Sequence, residues 1–393
     1  MNNQEIIALT DQYLMQTYAR FPVAFVKGEG CYLWDGDGKK YLDCLGGIAV
    51  NALGHSHPEI VKVLTEQART LMHTSNLYYT EPQARLAKLL CENSFADRVF
   101  FCNSGAEANE AAVKLARIWG KYSGKPDRYE VLTVKQSFHG RTLAMIAATG
   151  QDKVKQGFDP LPEGFRTVEF HDLEVMTQAV GPKTCAILVE PVLGEGGILF
   201  HSEEYLKGLR KLCDDRELLL IFDEIQSGMG RTGRLWAHEN YGVTPDILTT
   251  AKALGTGLPI GACLAREEVA SAFKAGSHAT TFGGNPLVCA VAEKFLQILL
   301  QPGFLEGVRQ VGEYFLSGLK NLQESHDKVE AVRGQGMMLG ATLSVAARPV
   351  VDHALAKGLI INAPQEKVLR FVPPLILTKE QVDTGLEILS EVL

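Results

Sequence analysis

The 393 residues include 46% hydrophobic and 22% charged residues, which is ordinary for a globular protein and excludes the disordered class. The formal net charge of -7 and the scattered lysines and arginines argue against a nucleic-acid partner, and no apolar run reaches the ~18 residues that a membrane span needs. We expect a cytoplasmic protein, since the first residues lack a signal-peptide pattern, and at least two domains, since one core rarely grows beyond ~250 residues.

Cysteines and histidines give no sign of a metal or redox site. The eight cysteines lie far apart and no pair has zinc or thiol-redox spacing, so we expect free and mostly buried thiols. The string GHSHP at residues 54–58 is interpreted as a turn that leads into a helix, because proline is favoured at the first helical position and no second ligand cluster accompanies it. We therefore expect no bound metal.

The N-terminal segment predicts a short helix followed by a small β-meander. Its three runs, Val23 to Lys27, Cys31 to Trp34 and Lys40 to Leu42, are separated by glycine-containing turns. Because the turns between them are short, we expect consecutive runs to lie side by side and to pair in the order in which they occur in the chain.

A buried strand, Arg98 to Cys102, is followed at once by small residues and a helical pattern. Free backbone N–H groups and the positive end of the helix dipole make such a junction suitable for a phosphate, with Ser104, Gly105 and Ala106 as the contacts. Serine is also a common N-cap, so this string alone leaves both interpretations open.

The next strand, Val131 to Val134, is followed by Phe138 and Arg141. An aromatic ring after a strand end can stack on a flat heterocycle, and an arginine can hold a carboxylate through two parallel hydrogen bonds. The alternative for Arg141 is a surface arginine that caps a neighbouring helix.

Two further apolar runs end in charged residues. Leu218 to Phe222 predicts a strand buried on both faces, and it delivers Asp223 to the edge where ligands bind in α/β sheets. Ile247 and Leu248 lead into Lys252, which has small neighbours. A desolvated lysine can form an imine, and a carboxylate can keep a pyridine nitrogen protonated, so the pair suggests pyridoxal phosphate. The alternative is a turn-capping aspartate and a surface lysine.

Several strings together resemble the class III aminotransferases, also called ω-aminotransferases, of fold type I. The resemblance is carried by residues 26–43, 103–110 (NSGAEANE), 137–142 (SFHGRT), 190–197 (EPVLGEGG), 223–233 (DEIQSGMGRTG), 245–262 and 369–374. These strings span nearly the whole chain, which makes the resemblance specific.

The resemblance implies an α/β fold of the pyridoxal-phosphate-dependent transferase fold type I. We expect a large domain with a mainly parallel sheet over residues 51–285. A smaller α/β domain would combine an N-terminal segment, residues 1–50, with residues 286–393, where helical patterns alternate with short strands around Met337 to Leu343 and Val368 to Val372.

The resemblance also assigns roles to single residues. Lys252 would bind pyridoxal 5'-phosphate and act as acid and base, and Asp223 would pair with the ring nitrogen. Phe138 would stack on the ring, and Gln226 would bind its phenolic oxygen. The cofactor phosphate would contact Ser104, Gly105, Ala106 and, from a neighbouring subunit, Thr281.

Substrate-binding residues follow from the same family. Tyr18, Arg141 and Thr280 would face the substrate, although Tyr18 could equally pack in a small N-terminal domain. Glu195 would mask Arg370 while an amino donor is bound and release it when 2-oxoglutarate enters, because an unpaired buried arginine is costly. Since Thr280 and Thr281 would act across an interface, the resemblance implies a homodimer.

The resemblance favours transfer of an amino group from N-acetylornithine to 2-oxoglutarate, in arginine biosynthesis. Ornithine is the next candidate donor, and succinylornithine and 4-aminobutyrate are further ones. Two other classes are a semialdehyde aminomutase, against which Glu195 and Arg370 argue, and a non-catalytic nucleotide-binding protein. The strings GMGRTG and GTGLPIG suggest the latter, but neither has the ending of a phosphate loop.

Overall fold

The computed structural model describes residues 1–393 and contains both helices and strands throughout the chain. The helices are α1 (Asn3–Tyr13), α2 (Gly46–Ala49), α3 (Pro58–Thr70), α4 (Glu81–Glu92), α5 (Gly105–Tyr122), α6 (Leu143–Ala148), α7 (Leu173–Ala179), α8 (Glu203–Arg216), α9 (Glu267–Ala270), α10 (Pro286–Leu299), α11 (Phe304–Ser325), α12 (Ala347–Ala356) and α13 (Lys379–Val392). The strands are β1 (Phe25–Glu29), β2 (Tyr32–Asp35), β3 (Lys40–Asp43), β4 (Arg98–Cys102), β5 (Glu130–Val134), β6 (Phe165–Val168), β7 (Thr184–Val189), β8 (Val192–Leu193), β9 (Leu199–Phe200), β10 (Leu219–Asp223), β11 (Ile247–Thr250), β12 (Gly261–Ala265), β13 (Val329–Gln335), β14 (Met338–Leu343), β15 (Leu359–Ile360), β16 (Asn362–Gln365) and β17 (Val368–Phe371).

The chain forms two compact units, residues 59–309 and residues 1–58 with 310–393. The sequence placed residues 286–309 in the small C-terminal domain, whereas the structure includes them in the larger unit. The reason is that α10 is apolar on most of its surface and packs against α4 and the 3-10 turn Lys252–Gly255. Both chain ends contribute to the smaller unit.

The larger unit is built on a seven-stranded sheet in the order β4-β12-β11-β10-β7-β5-β6. The five strands from β11 to β6 are parallel, and β12 runs antiparallel to both of its neighbours. Parallel sheets need cover on both faces, which explains why every residue of β7 and β10 is buried. The predicted α/β fold with a mainly parallel sheet is confirmed.

Strand β10 shows how the apolar run is used on both faces of the sheet. Leu219 and Ile221 pack in a core with residues of α5, whereas Leu220 and Phe222 pack in a second core with residues of α8. Successive side chains of a strand point to opposite faces, so a continuous apolar run is what a two-sided layer requires. The run stops at Asp223, at the carboxyl end of the strand.

The smaller unit contains two four-stranded sheets, β1-β2-β3-β15 and β13-β14-β17-β16. The predicted N-terminal meander is present, and β15 extends it by pairing parallel to β3. The turn before α3 requires glycine, because Gly54 has φ of 73° and a Cβ there would lie 2.4 Å from the Gly30 carbonyl oxygen. The GHSHP string therefore forms a turn that leads into a helix, as predicted.

All eight cysteines are free thiols, and all except the half-buried Cys91 are buried, as expected. No single helix is both long enough and apolar enough to cross a membrane, and α10 with α11 reaches that length and hydropathy only as a pair bent by 71°.

A buried histidine lies in a cluster of rings in the larger unit. His201 is 3% exposed and its ring lies near those of Phe170, His171 and Tyr205. Its Nδ1 is 3.3 Å from Nδ1 of His171. Burial, and then the charge of His171, lower the pKa of His201 from 6.5 to about 3. The neutral imidazole is therefore the form that the fold accepts.

We expect the free energy of unfolding to fall on acidification because of His201. The folded-state pKa lies below the unfolded one, so this contribution is present above pH 6.5 and is lost as the pH falls toward 3. Between pH 7 and pH 5 the loss should be about 2 kcal/mol. Urea unfolding of wild type and His201→Phe at both pH values measures it, with the exposed His353→Gln as control. An unchanged pH dependence in His201→Phe would contradict the assignment.

Candidate active site

The ends of two neighbouring parallel strands bring Asp223 and Lys252 to one edge of the large sheet. Asp223 ends β10 and is paired in register with Thr249 on β11, three residues before Lys252. Lys252 opens the 3-10 turn Lys252–Gly255 with φ of 42°, a left-handed conformation that non-glycine residues seldom adopt. Backbone strain of this kind is concentrated at functional positions.

Asp223 is 3% exposed and its carboxylate is held by three donors. Oδ2 accepts hydrogen bonds from Nδ2 of Asn109 at 2.7 Å and from Nδ1 of His139 at 2.8 Å, and Oδ1 accepts one from the N–H of Ile225 at 3.1 Å. Thr249 in turn donates to Oδ1 of Asn109 at 2.7 Å. These contacts fix the direction of the carboxylate.

Asn109, His139 and Thr249 were missing from the predicted site residues. The structure places Asn109 against the carboxylate of Asp223. His139 stands beside the predicted Phe138 in SFHGRT, and Asn109 is a polar residue in the buried stripe of α5. Polar residues at otherwise apolar helix positions are the signal that could have found it.

The start of α5, where the sequence predicts an anion site, lies against the loop that follows Asp223. Ser104 is the N-cap, with its side chain accepting from the N–H of Glu107, and the N–H groups of Gly105 and Ala106 have no partner within the helix. A Cβ on Gly105 would lie 2.8 Å from the side chain of Ile225, so the helix begins in close contact with the loop that follows Asp223. Glu107 accepts from the N–H of Asn103 at 2.6 Å and stabilises this junction.

Thr280 and Thr281 line a cavity of about 390 Å³ together with Cys102, Asn103 and Glu107. Within the chain, Oγ1 of Thr280 accepts hydrogen bonds from Nδ2 of Asn103 at 3.1 Å and from the N–H of Gly283 at 3.2 Å. Thr281 is exposed. The threonine segment thus lies beside the helix start of its own chain.

Phe138 and Arg141 lie on one loop after β5. The Arg141 guanidinium carbon is 5.6 Å from the centre of the Phe138 ring, and the Arg141 side chain is exposed to solvent. An exposed guanidinium over an aromatic ring is available to bind an anion through its fork of donors.

Glu195 and Gln226 are in contact, with Nε2 of Gln226 3.3 Å from Oε1 of Glu195. A Cβ on Gly194 would lie 2.2 Å from Oε1 of Gln226, so the amide end of Gln226 lies directly against the backbone of Gly194. The family resemblance assigns Gln226 a role toward the cofactor ring, and its contact with Glu195 is an additional one.

Tyr18 and Arg370 belong to the smaller unit. The Arg370 side chain, on β17, is fully buried, and its Nε donates to Oδ1 of Asn362 at 3.1 Å. Tyr18 is exposed, and the guanidinium of Arg20 lies 5.2 Å from its ring centre. Burying the charge of an arginine costs free energy. That the fold accepts this cost at position 370 is consistent with a functional role for Arg370.

The residues present at the sheet edge fit pyridoxal phosphate. Asp223 is buried and accepts a hydrogen bond from Nδ1 of His139, and burial, and then the charge of Asp223, raise the pKa of the nearby Glu190 carboxyl. Two buried carboxyl groups so close together favour a cation, as a protonated pyridine nitrogen would be. Lys252 offers an amine for the aldehyde, and the start of α5 offers N–H groups for the phosphate. Phe138 offers an aromatic ring that can stack on the pyridine ring.

Comparison with known proteins gives concordant results. A family model described as "Aminotransferase class-III" matches residues 13–393. The chain is 52% identical to acetylornithine aminotransferase of Caldanaerobacter subterraneus subsp. tengcongensis over 99% of each chain. It is 47% identical to succinylornithine transaminase of Citrobacter koseri, over 96% of this chain and 94% of the relative. The crystal structure of ornithine aminotransferase from Toxoplasma gondii ME49 superposes with a TM-score of 0.96 at 32% identity, covering 100% of this chain and 95% of that chain.

Proposed function

The chain belongs to the class III aminotransferases, and we propose that it transfers the terminal amino group of N-acetylornithine to 2-oxoglutarate, forming N-acetylglutamate semialdehyde and glutamate. The choice of N-acetylornithine as the amino donor is supported by the full-length similarity to a relative named acetylornithine aminotransferase. The reaction belongs to arginine biosynthesis, and the cytoplasm is its proposed location.

The proposed cofactor is pyridoxal 5'-phosphate. When bound, it would supply an aldehyde that combines with amines and a ring that delocalises negative charge from the reacting carbon. Ser104, Gly105 and Ala106 would hold its phosphate, Phe138 would cover a ring face, and Gln226 would contact the phenolic oxygen.

Proton transfer is the proposed task of Lys252. Its Nζ would take the proton from the amine-bearing carbon of the donor and later deliver a proton back, which is general acid–base catalysis by one group. Asp223 would hold a proton on the ring nitrogen, and the hydrogen bonds from Asn109 and His139 keep its carboxylate aimed in one direction.

The two arginines are proposed to bind the substrate carboxylates. Arg141 would take the α-carboxylate of the amino donor, and Arg370 that of 2-oxoglutarate, each through its planar fork of donors. Glu195, Thr280 and Tyr18 remain proposed substrate contacts, with Glu195 serving to mask the arginine charge while the donor is bound.

A homodimer with shared sites is also proposed. The segment around Leu77, Tyr78 and Tyr79 is exposed, as is Phe282, and Asn76 ties this segment to the threonine loop by donating to the Gly283 carbonyl at 2.9 Å. Exposed apolar residues grouped in this way mark interaction surfaces. Thr281, next to them, would then reach the phosphate of the neighbouring subunit. Sedimentation at the 43.0 kDa mass of one chain would refute the dimer.

Half-reactions separate the candidate donors. The purified holoenzyme is mixed with N-acetylornithine, ornithine or N-succinylornithine in turn, and loss of the protein-bound cofactor absorbance is followed. We expect the largest second-order rate constant for N-acetylornithine. A faster reaction with ornithine, or no change in absorbance with any donor, would overturn the proposed substrate.

Succinylornithine is the second candidate donor, because a relative of 47% identity is a succinylornithine transaminase. Acetyl and succinyl groups differ in size and in one carboxylate, so the ratio of the two rate constants decides between them. A ratio in favour of succinylornithine would transfer the proposal to that donor.

A further inference from the structure

A buried glutamate beside the predicted site has no role in the function proposed above. Glu190 directly follows β7, whose last residue, Val189, pairs in register with Phe222, the neighbour of Asp223. It is 5% exposed. Its carboxyl group therefore lies at the same sheet edge as Asp223, under the two loops that follow β5 and β7.

The carboxylate of Glu190 joins these two loops through their backbones. Oε1 accepts a hydrogen bond from the N–H of Phe138 at 2.8 Å, and Oε2 accepts one from the N–H of Gly194 at 3.1 Å. The first loop carries Arg141 and the second carries Glu195. One side chain thus fixes the distance between two segments that are far apart in the sequence.

In each loop, the position of the backbone determines where a functional side chain lies. On the first loop, the ring of Phe138 lies under the Arg141 guanidinium. On the second, the amide end of Gln226 lies against the backbone of Gly194, and Nε2 of Gln226 is 3.3 Å from Oε1 of Glu195. A displacement at either N–H group would therefore change where the carboxylate-binding side chains lie.

The position is costly for a carboxyl group. Burial, and then the charge of Asp223, raise the pKa of Glu190, while His139 and the two backbone N–H groups oppose this. A neutral side chain would avoid the desolvation cost but would lose one of the two acceptors. Only an ionised carboxylate accepts from both loops at once.

We propose that Glu190 is a positioning residue that sets the spacing of Arg141 and Glu195 through the backbone N–H groups of Phe138 and Gly194. This rests on the proposed function, in which one site accepts an amino donor and 2-oxoglutarate in turn. Glu190 would serve both halves of the reaction without touching either substrate.

The test uses holoenzyme and both half-reactions, with the proposed amino donor and with glutamate. In Glu190→Gln the amide can accept from only one loop and directs N–H groups toward the other. We expect the second-order rate constant of both half-reactions to fall about 10- to 100-fold, as for the loss of a hydrogen bond to a charged group. The absorbance maximum of the bound cofactor should not change, because Lys252 and Asp223 are intact.

A double-mutant cycle distinguishes positioning from a general loss of stability. If Glu190 acts through Arg141, Arg141→Ala should cost at least about threefold less in the Glu190→Gln background than in wild type, since coupled residues are not additive. Additive effects would overturn the proposal. Glu224→Gln is the matched control, because Glu224 is also buried and accepts from two backbone N–H groups, those of Ala237 and His238. Glu224→Gln should lower the free energy of unfolding and leave the rate constants of both half-reactions within about twofold of wild type.

Two further outcomes are decisive. Wild-type protein that converts neither substrate refutes the proposed function, whereas wild-type rates in Glu190→Gln refute the positioning role alone. If the variant does not fold, hydrogen exchange of the wild-type holoenzyme replaces it. The amides of Phe138 and Gly194 should then be protected to a similar degree, and rapid exchange of either one refutes the bridge.

Discussion

Lys252→Ala should lower kcat by at least about 10⁴-fold, because it removes both the general acid–base group and the amine that binds the cofactor covalently. The side chain lies at the carboxyl edge of the sheet, next to the strand that carries Asp223. A second readout does not depend on turnover. After borohydride treatment, the mass of wild type should increase by the reduced cofactor and the mass of the variant should not.

The control is a lysine in a comparable place on the same sheet. Lys135 directly follows β5, is exposed and pairs with Glu169. Lys135→Ala should change kcat by no more than about threefold, as for other exposed ion pairs. Activity of Lys252→Ala within about tenfold of wild type would remove Lys252 from the mechanism.

Asp223→Ala should be the next most damaging substitution, with kcat/KM about 10³-fold lower, since the charge that keeps the ring nitrogen protonated is lost. It also removes the acceptor of Nδ1 of His139 and one of the two acceptors of Nδ2 of Asn109, which keeps its bond to the His139 carbonyl, and this should cost about 1–3 kcal/mol of unfolding free energy. Steady-state kinetics and urea unfolding measure the two effects separately.

Thr249→Val separates the charge of Asp223 from the network around it. It removes the hydrogen bond from Thr249 to Asn109 but leaves the carboxylate in place. A loss of stability with kcat/KM within about tenfold of wild type is expected. Equal losses of kcat/KM in Asp223→Ala and Thr249→Val would mean that the orientation of the Asp223 carboxylate, and not its charge, determines the rate.

The neighbourhood of Asp223 and Lys252 could be predicted because it depends on one-dimensional patterns. Each follows an apolar run, and a parallel sheet gathers the carboxyl ends of its strands at one edge. The contacts of Asp223 could not be predicted in the same way. Asn109 precedes it by 114 positions and His139 by 84, and such pairs follow only from how α5 and the loop pack on the sheet.

Glu190 and α10 show two further limits. The string EPVLGEGG predicted a role for Glu195 but none for Glu190. The hydrogen bonds of Glu190 come from backbone N–H groups, which every residue except proline has and which therefore leave no pattern in the sequence. The helical patterns after residue 286 predicted helices there but not the unit against which α10 packs. The roles given to single residues by family resemblance stay predictions until the variants are measured.

The left-handed backbone of Lys252 sets stability against activity. For most residues with a Cβ, φ of 42° costs about 1–2 kcal/mol; glycine, which has no Cβ, and asparagine, whose short polar side chain can hydrogen-bond locally, tolerate this conformation better. Consider a library randomised at position 252 and selected only for resistance to heat or protease, without cofactor. It should enrich asparagine and glycine over lysine, and the most robust clones recovered would be inactive.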